Sequence, residues 1–202
     1  MRKTKVKFCG LKRIEDIEAA NALKPDFAGF VFWEKSSRNV SALDAGALGK
    51  ALLPEIKKVG VFVDEAPEKV AALLTDGVID IAQLHGHEDE SYIGRLRALS
   101  GGQPIIKAFV IRSKEDLERA KESSADYLLL DSGKGTGQTF NWELIKEAGF
   151  DRPYFLAGGL GVENVAEAVK ELNPYAVDVS SGIETEGIKD PDKMSKFIGE
   201  LL

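Results

Sequence analysis

The 202-residue chain holds one cysteine, Cys9, and two histidines, His85 and His87. A single cysteine excludes an internal disulfide and a cysteine-based metal site, and two histidines cannot build a three-histidine centre. No apolar stretch approaches the roughly 20 residues of a membrane-spanning helix. The basic start MRKTKVKFCG lacks the apolar core of a signal peptide, so the expected location is the cytoplasm. No run of basic residues exceeds two, and 27 Lys and Arg against 33 Asp and Glu leave a net charge of −6. That balance speaks against nucleic acid and anionic membrane as partners. An anionic small molecule must therefore be met by individual Lys and Arg residues near loop glycines. Linkers, low-complexity tracts and internal repeats are also missing. The 44% hydrophobic and 30% charged content is that of an ordinary globular chain.

What is present is an alternation. Eight β-rich runs stand at Val6–Phe8, Phe27–Phe32, Lys58–Val63, Ile79–Leu84, Ile105–Phe109, Tyr127–Leu130, Tyr154–Ala157 and Ala176–Val179. Most are nearly continuous in Val, Ile, Leu and Phe, as in strands covered on both faces. Amphipathic segments lie between them. Val162, Val165, Ala166, Val169 and Leu172 follow a helical period, as do Met194, Phe197, Ile198 and Leu201. Pro25, Pro54, Pro104, Pro153 and Pro174 fall just before strands, and Pro67 and Pro191 suit helix starts. Strict β/α alternation predicts a parallel sheet, and eight units in 202 residues predict one (β/α)8 TIM barrel over 1–202, near the minimal size. A doubly wound open sheet is the alternative, because periodicity does not prove closure.

In a barrel the chemistry sits on the loops that follow the strands. Small residues after strands seven and eight, Gly158-Gly159 and Ser180-Ser181, let backbone N–H groups approach a phosphate. Tight turns alone explain either loop; two such loops at adjacent positions favour phosphate. Cys9 at a strand end beside Gly10 faces the mouth, although a buried small hydrophobe is the plainer role for a cysteine. Asp131 directly follows strand six, where a carboxylate is a candidate catalyst. Lys35-Ser36-Ser37-Arg38 after an aromatic strand suits an anion clamp at Arg38. Asp178, between valines, reads as a hydrogen-bonding orienter. Gly133, Gly135 and Gly137 match neither a dinucleotide fingerprint nor a Walker loop and read as a cover for the site. His85-x-His87 with Glu88 and Asp89 could suggest a metal, but Glu88 and Asp89 read better as opening a helix. No metal is expected.

Six segments then occur in order: KFCGL at 7–11, GFVFWEKSSR at 29–38, QLHG at 83–86, LDSGKGTGQTFNW at 130–142, LAGGL at 156–160 and DVSSGIE at 178–184. Together they closely resemble the phosphoribosylanthranilate isomerase family of tryptophan biosynthesis, over nearly the whole chain. Departures from the family pattern fall at Lys12, where a hydroxyl residue is frequent, and at Glu34, Ser37 and Asn39, where Pro, Pro and Tyr are. The resemblance implies an Amadori rearrangement of N-(5′-phosphoribosyl)anthranilate, with Asp131 as acid and Cys9 as base. It further implies substrate binding by Arg38, His85 and Asp178 and phosphate binding by Gly158, Gly159, Ser180 and Ser181. No cofactor is implied, the partner is a small phosphosugar, and the protein is a monomer or a homodimer. A thiol of ordinary pKa is only about 3% ionised at pH 7, so Cys9 needs a lowered pKa or help from the substrate. Two other functions compete: another phosphosugar isomerase or epimerase on the same barrel, and a catalytically silent phosphosugar-binding protein. The histidine-pathway isomerase carries Asp after strand one, and the Cys9/Asp131 pair argues against both alternatives.

Overall fold

The computed structural model describes residues 3–131 and 142–202. Eight parallel strands follow one another in chain order: β1 Lys5–Cys9, β2 Phe27–Val31, β3 Lys57–Phe62, β4 Ile81–Leu84, β5 Ile105–Val110, β6 Tyr127–Asp131, β7 Tyr154–Ala157 and β8 Ala176–Val179. The sheet closes where β8 pairs with β1, from Lys5 opposite Ala176 to Phe8 opposite Val179. That seam decides for the barrel over the open sheet. Each expected run is a strand, with ends displaced by two residues at most.

Helices α1 Ile14–Leu23, α2 Ala42–Ala51, α3 Pro67–Thr75, α4 Glu90–Leu99, α5 Lys114–Glu122, α6 Trp142–Ala148, α7 Val165–Leu172 and α8 Pro191–Gly199 cover the outside. Their starts obey local chemistry. Pro67 and Pro191 occupy first turns, where no N–H is needed. Ser41, Asp89 and Asp190 accept backbone N–H bonds as N-caps. Asp89 thus opens a helix as expected, whereas Glu88 is buried against Lys107, with Oε2 accepting from Nζ at 2.8 Å. Glu88 also accepts from the N–H groups of Asp64 and Gly86, which pins the loops after β3 and β4 together.

The core has two layers, as strand alternation requires. Phe27, Val59, Ile81, Ile106, Leu129, Phe155 and Ala176 pack inside the barrel. Phe8, Phe30, Leu128, Leu130, Leu156 and Val177 face the helices, meeting Ile17, Leu117, Met194 and Phe197. The bottom is closed by aromatic rings, Phe27 against Phe155 at 5.2 Å and Tyr127 stacked on Tyr175 at 5.3 Å.

Two features go beyond the sequence reading. Asp26, Asp80 and Asp126 immediately precede β2, β4 and β6. Each accepts from the N–H of Val6, Lys58 and Ile105 respectively and donates its own N–H to the same residue's carbonyl. Only the aspartate recurs, so this threefold clamp at the barrel floor leaves no repeat in the sequence. Between β8 and α8, where only a glycine loop was expected, a 3-10 turn (Ser181–Ile183) leads into a hairpin of β9 Glu184–Thr185 and β10 Ile188–Lys189. The hairpin carries two buried charges, Glu184 and Lys189, to the mouth.

Candidate active site

All nine sequence-predicted site residues line one cavity of about 550 Å³ at the carboxyl ends of the strands. Val31, Val61 and Ala157 form apolar parts of its wall.

On the β1–β8 side, Cys9 ends β1 and is 8% exposed. Lys7 stands two residues earlier, so it shares the inward face. Its Nζ donates to Asp178 Oδ1 at 2.9 Å across the closing seam, where the two residues are register partners. Burial acts to discharge Lys7, but Asp178 and Cys9 outweigh it and hold the ammonium above its ordinary value. Burial likewise pushes the Cys9 thiol up, with Lys7 pulling it down and Asp178 pushing it further up.

Arg38 lies on the loop after β2 and crosses Gly10, where a Cβ would come within 2.4 Å of Arg38 Cδ. Glycine is thus required for the side chain to lie there. Arg38 Nε and Nη2 donate to Glu184 Oε1 and Oε2 at 2.6 and 2.5 Å, a bidentate pair. Glu184 is nearly enclosed, and Lys189 Nζ also donates to its Oε1, at 2.6 Å. Burial alone would raise the Glu184 carboxyl; Arg38 and Lys189 overcome it and hold the group below its ordinary value. The guanidinium has a second donor edge, Nη1 with the other Nη2 hydrogen, pointing away from the Nε edge that Glu184 holds. Beside it, Lys12 Nζ donates to the Ser37 carbonyl at 2.9 Å, so two of the departures from the family pattern bind each other.

Lys189 also donates to the carbonyl and hydroxyl of Ser180, at 3.0 and 3.3 Å. The Ser180 hydroxyl in turn donates to the Cys9 carbonyl at 3.1 Å. With its hydroxyl so engaged, Ser180 borders the cavity with its side-chain donor already used. Gly158 and Gly159 have φ of 88° and 63°. Asn164 accepts from the N–H of Gly161 and donates to the Gly159 carbonyl, tying this loop to the start of α7.

On the opposite side, Asp131 ends β6 with its side chain 20% exposed. His85 Nε2 is 3.2 Å from Asp131 Oδ2, and His85 Nδ1 is 3.4 Å from Gln83 Nε2. Gln83 is buried, and its Oε1 has no hydrogen-bond partner among the described residues. His87 is directed away, bonding Asp64 at the surface. The two histidines do not converge, and the described residues hold no cluster of metal-ligating groups. Gly133, Gly135 and Gly137, expected to cover the site, lie outside the described residues.

Residues 6–200 match the sequence model of N-(5′-phosphoribosyl)anthranilate isomerase. The chain belongs to that family. The N-(5′-phosphoribosyl)anthranilate isomerase of Thermoanaerobacter sp. (strain X514) is 47% identical over 98% of this chain and 97% of the relative. A phosphoribosyl anthranilate isomerase in complex with reduced 1-(o-carboxyphenylamino)-1-deoxyribulose 5-phosphate superposes with a TM-score of 0.84 at 36% identity, covering 98% of both chains. Monomers of the dimeric enzyme from Thermotoga maritima superpose with a TM-score of 0.82 at 35% identity, again over 98% of both.

Four groups of this family member's mouth were not singled out by sequence reasoning: Lys7, Gln83, Glu184 and Lys189. Three of them stand inside the quoted motifs KFCGL, QLHG and DVSSGIE. A usable signal existed for Lys7, a charge two residues from Cys9 within an apolar strand. For Lys189 none existed, since it reaches the mouth only through the hairpin.

Proposed function

We propose a division of labour in which Asp131 is the acid and Cys9 the base of an aldose–ketose isomerisation. The protein is an isomerase of tryptophan biosynthesis, converting N-(5′-phosphoribosyl)anthranilate to 1-(2-carboxyphenylamino)-1-deoxyribulose 5-phosphate. Asp131 gives its proton to the furanose ring oxygen as the C1′–O bond breaks and the nitrogen lone pair forms a C1′ iminium. The Cys9 thiolate then takes the C2′ proton, and the bonding pair becomes the C1′–C2′ double bond of an enolamine. Ketonisation moves the C2′ hydroxyl proton to C1′. The substrate nitrogen is the electron sink, so the scheme calls for no cofactor. Each turnover leaves a proton on sulfur and none on Asp131, and one proton must return through solvent.

The free edge of Arg38 receives the anthranilate carboxylate in this reading. His85 and Asp178 hold the reacting groups, and backbone N–H groups of Gly158, Gly159, Ser180 and Ser181 take the phosphate. The observation that carries it is the gathering of all nine side chains and loops on one cavity, with Cys9 and Asp131 on different strands. They all come from one chain, so monomer and homodimer serve the scheme equally. The net charge of −6 speaks against a nucleic-acid partner. Among the described residues no helix is long and apolar enough to cross a membrane, and a phosphorylated biosynthetic substrate suits the cytoplasm.

Freshly prepared phosphoribosylanthranilate, followed by loss of its fluorescence, tests the assignment. Full activity is expected in EDTA without added nucleotide. Turnover that required added Zn²⁺ or Mg²⁺ would overturn the scheme.

A further inference from the structure

The two-residue scheme leaves unexplained a charge sealed inside the barrel directly beneath the base. Lys7 is 0% exposed, and its carboxylate partner Asp178 borders the cavity. A cation placed there needs a reason, because burying a lysine is costly unless the charge is matched. Gly29, opposite Cys9 in the β1–β2 register, supplies the second observation. A Cβ at Gly29 would lie 3.1 Å from both Lys7 Nζ and Cys9 Sγ, so the two atoms lie within twice that distance of each other. The strand next to the base lacks a side chain where ammonium and thiol face one another.

We propose that Lys7 is a positioning residue of the isomerisation: its buried ammonium, seated by Asp178 and facing Cys9 across the gap at Gly29, is the counter-charge of the Cys9 thiolate. The proposal rests on Cys9 being the base. It also accounts for Asp178, whose carboxylate steers Lys7. Enolisation in the proposed scheme needs Cys9 as a thiolate, and Lys7 sets how often that form occurs. The charged groups acting on the thiol are Lys7 on β1, Asp178 on β8, Lys189 on β10 and Arg38 on the loop after β2. Lys7 leads the cations among them.

The chain has one cysteine, so alkylation by iodoacetamide reports on Cys9 alone. Alkylation rate and kcat are measured against pH for the full-length wild type, Lys7→Met and Asp178→Asn. In Lys7→Met both midpoints should move up by about one pH unit or more, which is a tenfold loss of thiolate at neutral pH. Asp178→Asn should move the alkylation midpoint down, because it removes an anion and leaves the ammonium to the thiol. Opposite directions are the signature; a role confined to packing would lower kcat at every pH and leave the thiol midpoint unmoved. Should Lys7→Met fail to fold, the sign of the Asp178→Asn shift against wild type decides, and an upward or absent shift overturns the proposal. Failure of the base assignment looks different: Cys9→Ala would keep native kcat while the alkylation shifts persisted.

Discussion

The two sides of the barrel mouth solve opposite problems. Cys9 lies almost sealed, between Lys7, Asp178 and the Arg38–Glu184–Lys189 cluster, with charges paired at 2.5–2.9 Å. Asp131 faces it from β6, partly open to solvent, beside His85 and Gln83. Taking a proton from carbon demands a base stripped of water and a fixed counter-charge, since ions interact more strongly where water is excluded. Delivering a proton to oxygen demands an acid that water can recharge every cycle. The difference in exposure is the one that the proposed acid and base call for.

The comparison is broken most severely by removing either pole. Cys9→Ala and Asp131→Asn should each lower kcat by ~10²-fold or more, the scale of a lost general acid or base. Both lie at the loop face rather than in the packed layers, so thermal melting should change little. Near-native kcat in either variant removes that residue from the mechanism.

The next effect separates binding from chemistry on the buried side. Arg38→Met should raise KM for phosphoribosylanthranilate by ~10-fold or more, and Arg38→Lys should not rescue it, since a point charge lacks the bidentate fork. Glu184→Gln should act in the same direction by ~10-fold, because a hydrogen bond to a charged group contributes about 1.5–3 kcal/mol. Affinity for a phosphosugar without a carboxylate should be preserved in Glu184→Gln. Unchanged KM in both variants would detach the clamp from the substrate.

The barrel was visible because eight apolar runs, punctuated by prolines, repeat one local pattern, and each local pattern needs only its neighbours. Cys9, Arg38 and Asp131 were visible because they stand at strand ends or on the loop that follows a strand, where position alone carries meaning. Glu184 lay within a quoted motif but looked like the tail of a glycine loop, since its partner Arg38 is 146 residues away. Lys7 looked like a break in an apolar strand. Its meaning depends on Asp178, which becomes its neighbour only when β8 closes onto β1. Charges whose partners arrive through closure carry no local signature; among the described residues of the mouth, Lys7–Asp178 and Arg38–Glu184 are such pairings.

A finer cut addresses His85, expected from sequence to touch substrate and found 3.2 Å from Asp131. If it steers the acid, His85→Leu should lower kcat about tenfold with little change in KM, the cost of one charge-assisted hydrogen bond. His85→Asn, which keeps a donor, should recover part of the loss. A raised KM with native kcat would return His85 to the substrate-binding role.

The smallest effect concerns the loops after β7 and β8, proposed to hold the phosphate. A ligand at ten times its Kd stabilises the native state by ~1.4 kcal/mol. For a chain of this size that raises Tm by about 3–6 °C. Sulfate or phosphate should produce such a shift through backbone donors at Gly159 and Ser181, which side-chain deletion cannot remove. Gly159→Val obstructs the cradle, but Gly159 has φ of +63°, a conformation that costs a non-glycine residue roughly 1–2 kcal/mol. The unliganded variant should therefore already melt about 2–8 °C lower. What decides is the further shift each protein shows on adding ligand, measured from its own baseline. Sulfate also stabilises proteins by exclusion from their surfaces, and both proteins share that contribution at equal concentration. A wild-type shift exceeding that of Gly159→Val by a few degrees supports the cradle. Equal shifts would mean that the anion binds elsewhere, and the loops after β7 and β8 would then serve only to close their turns.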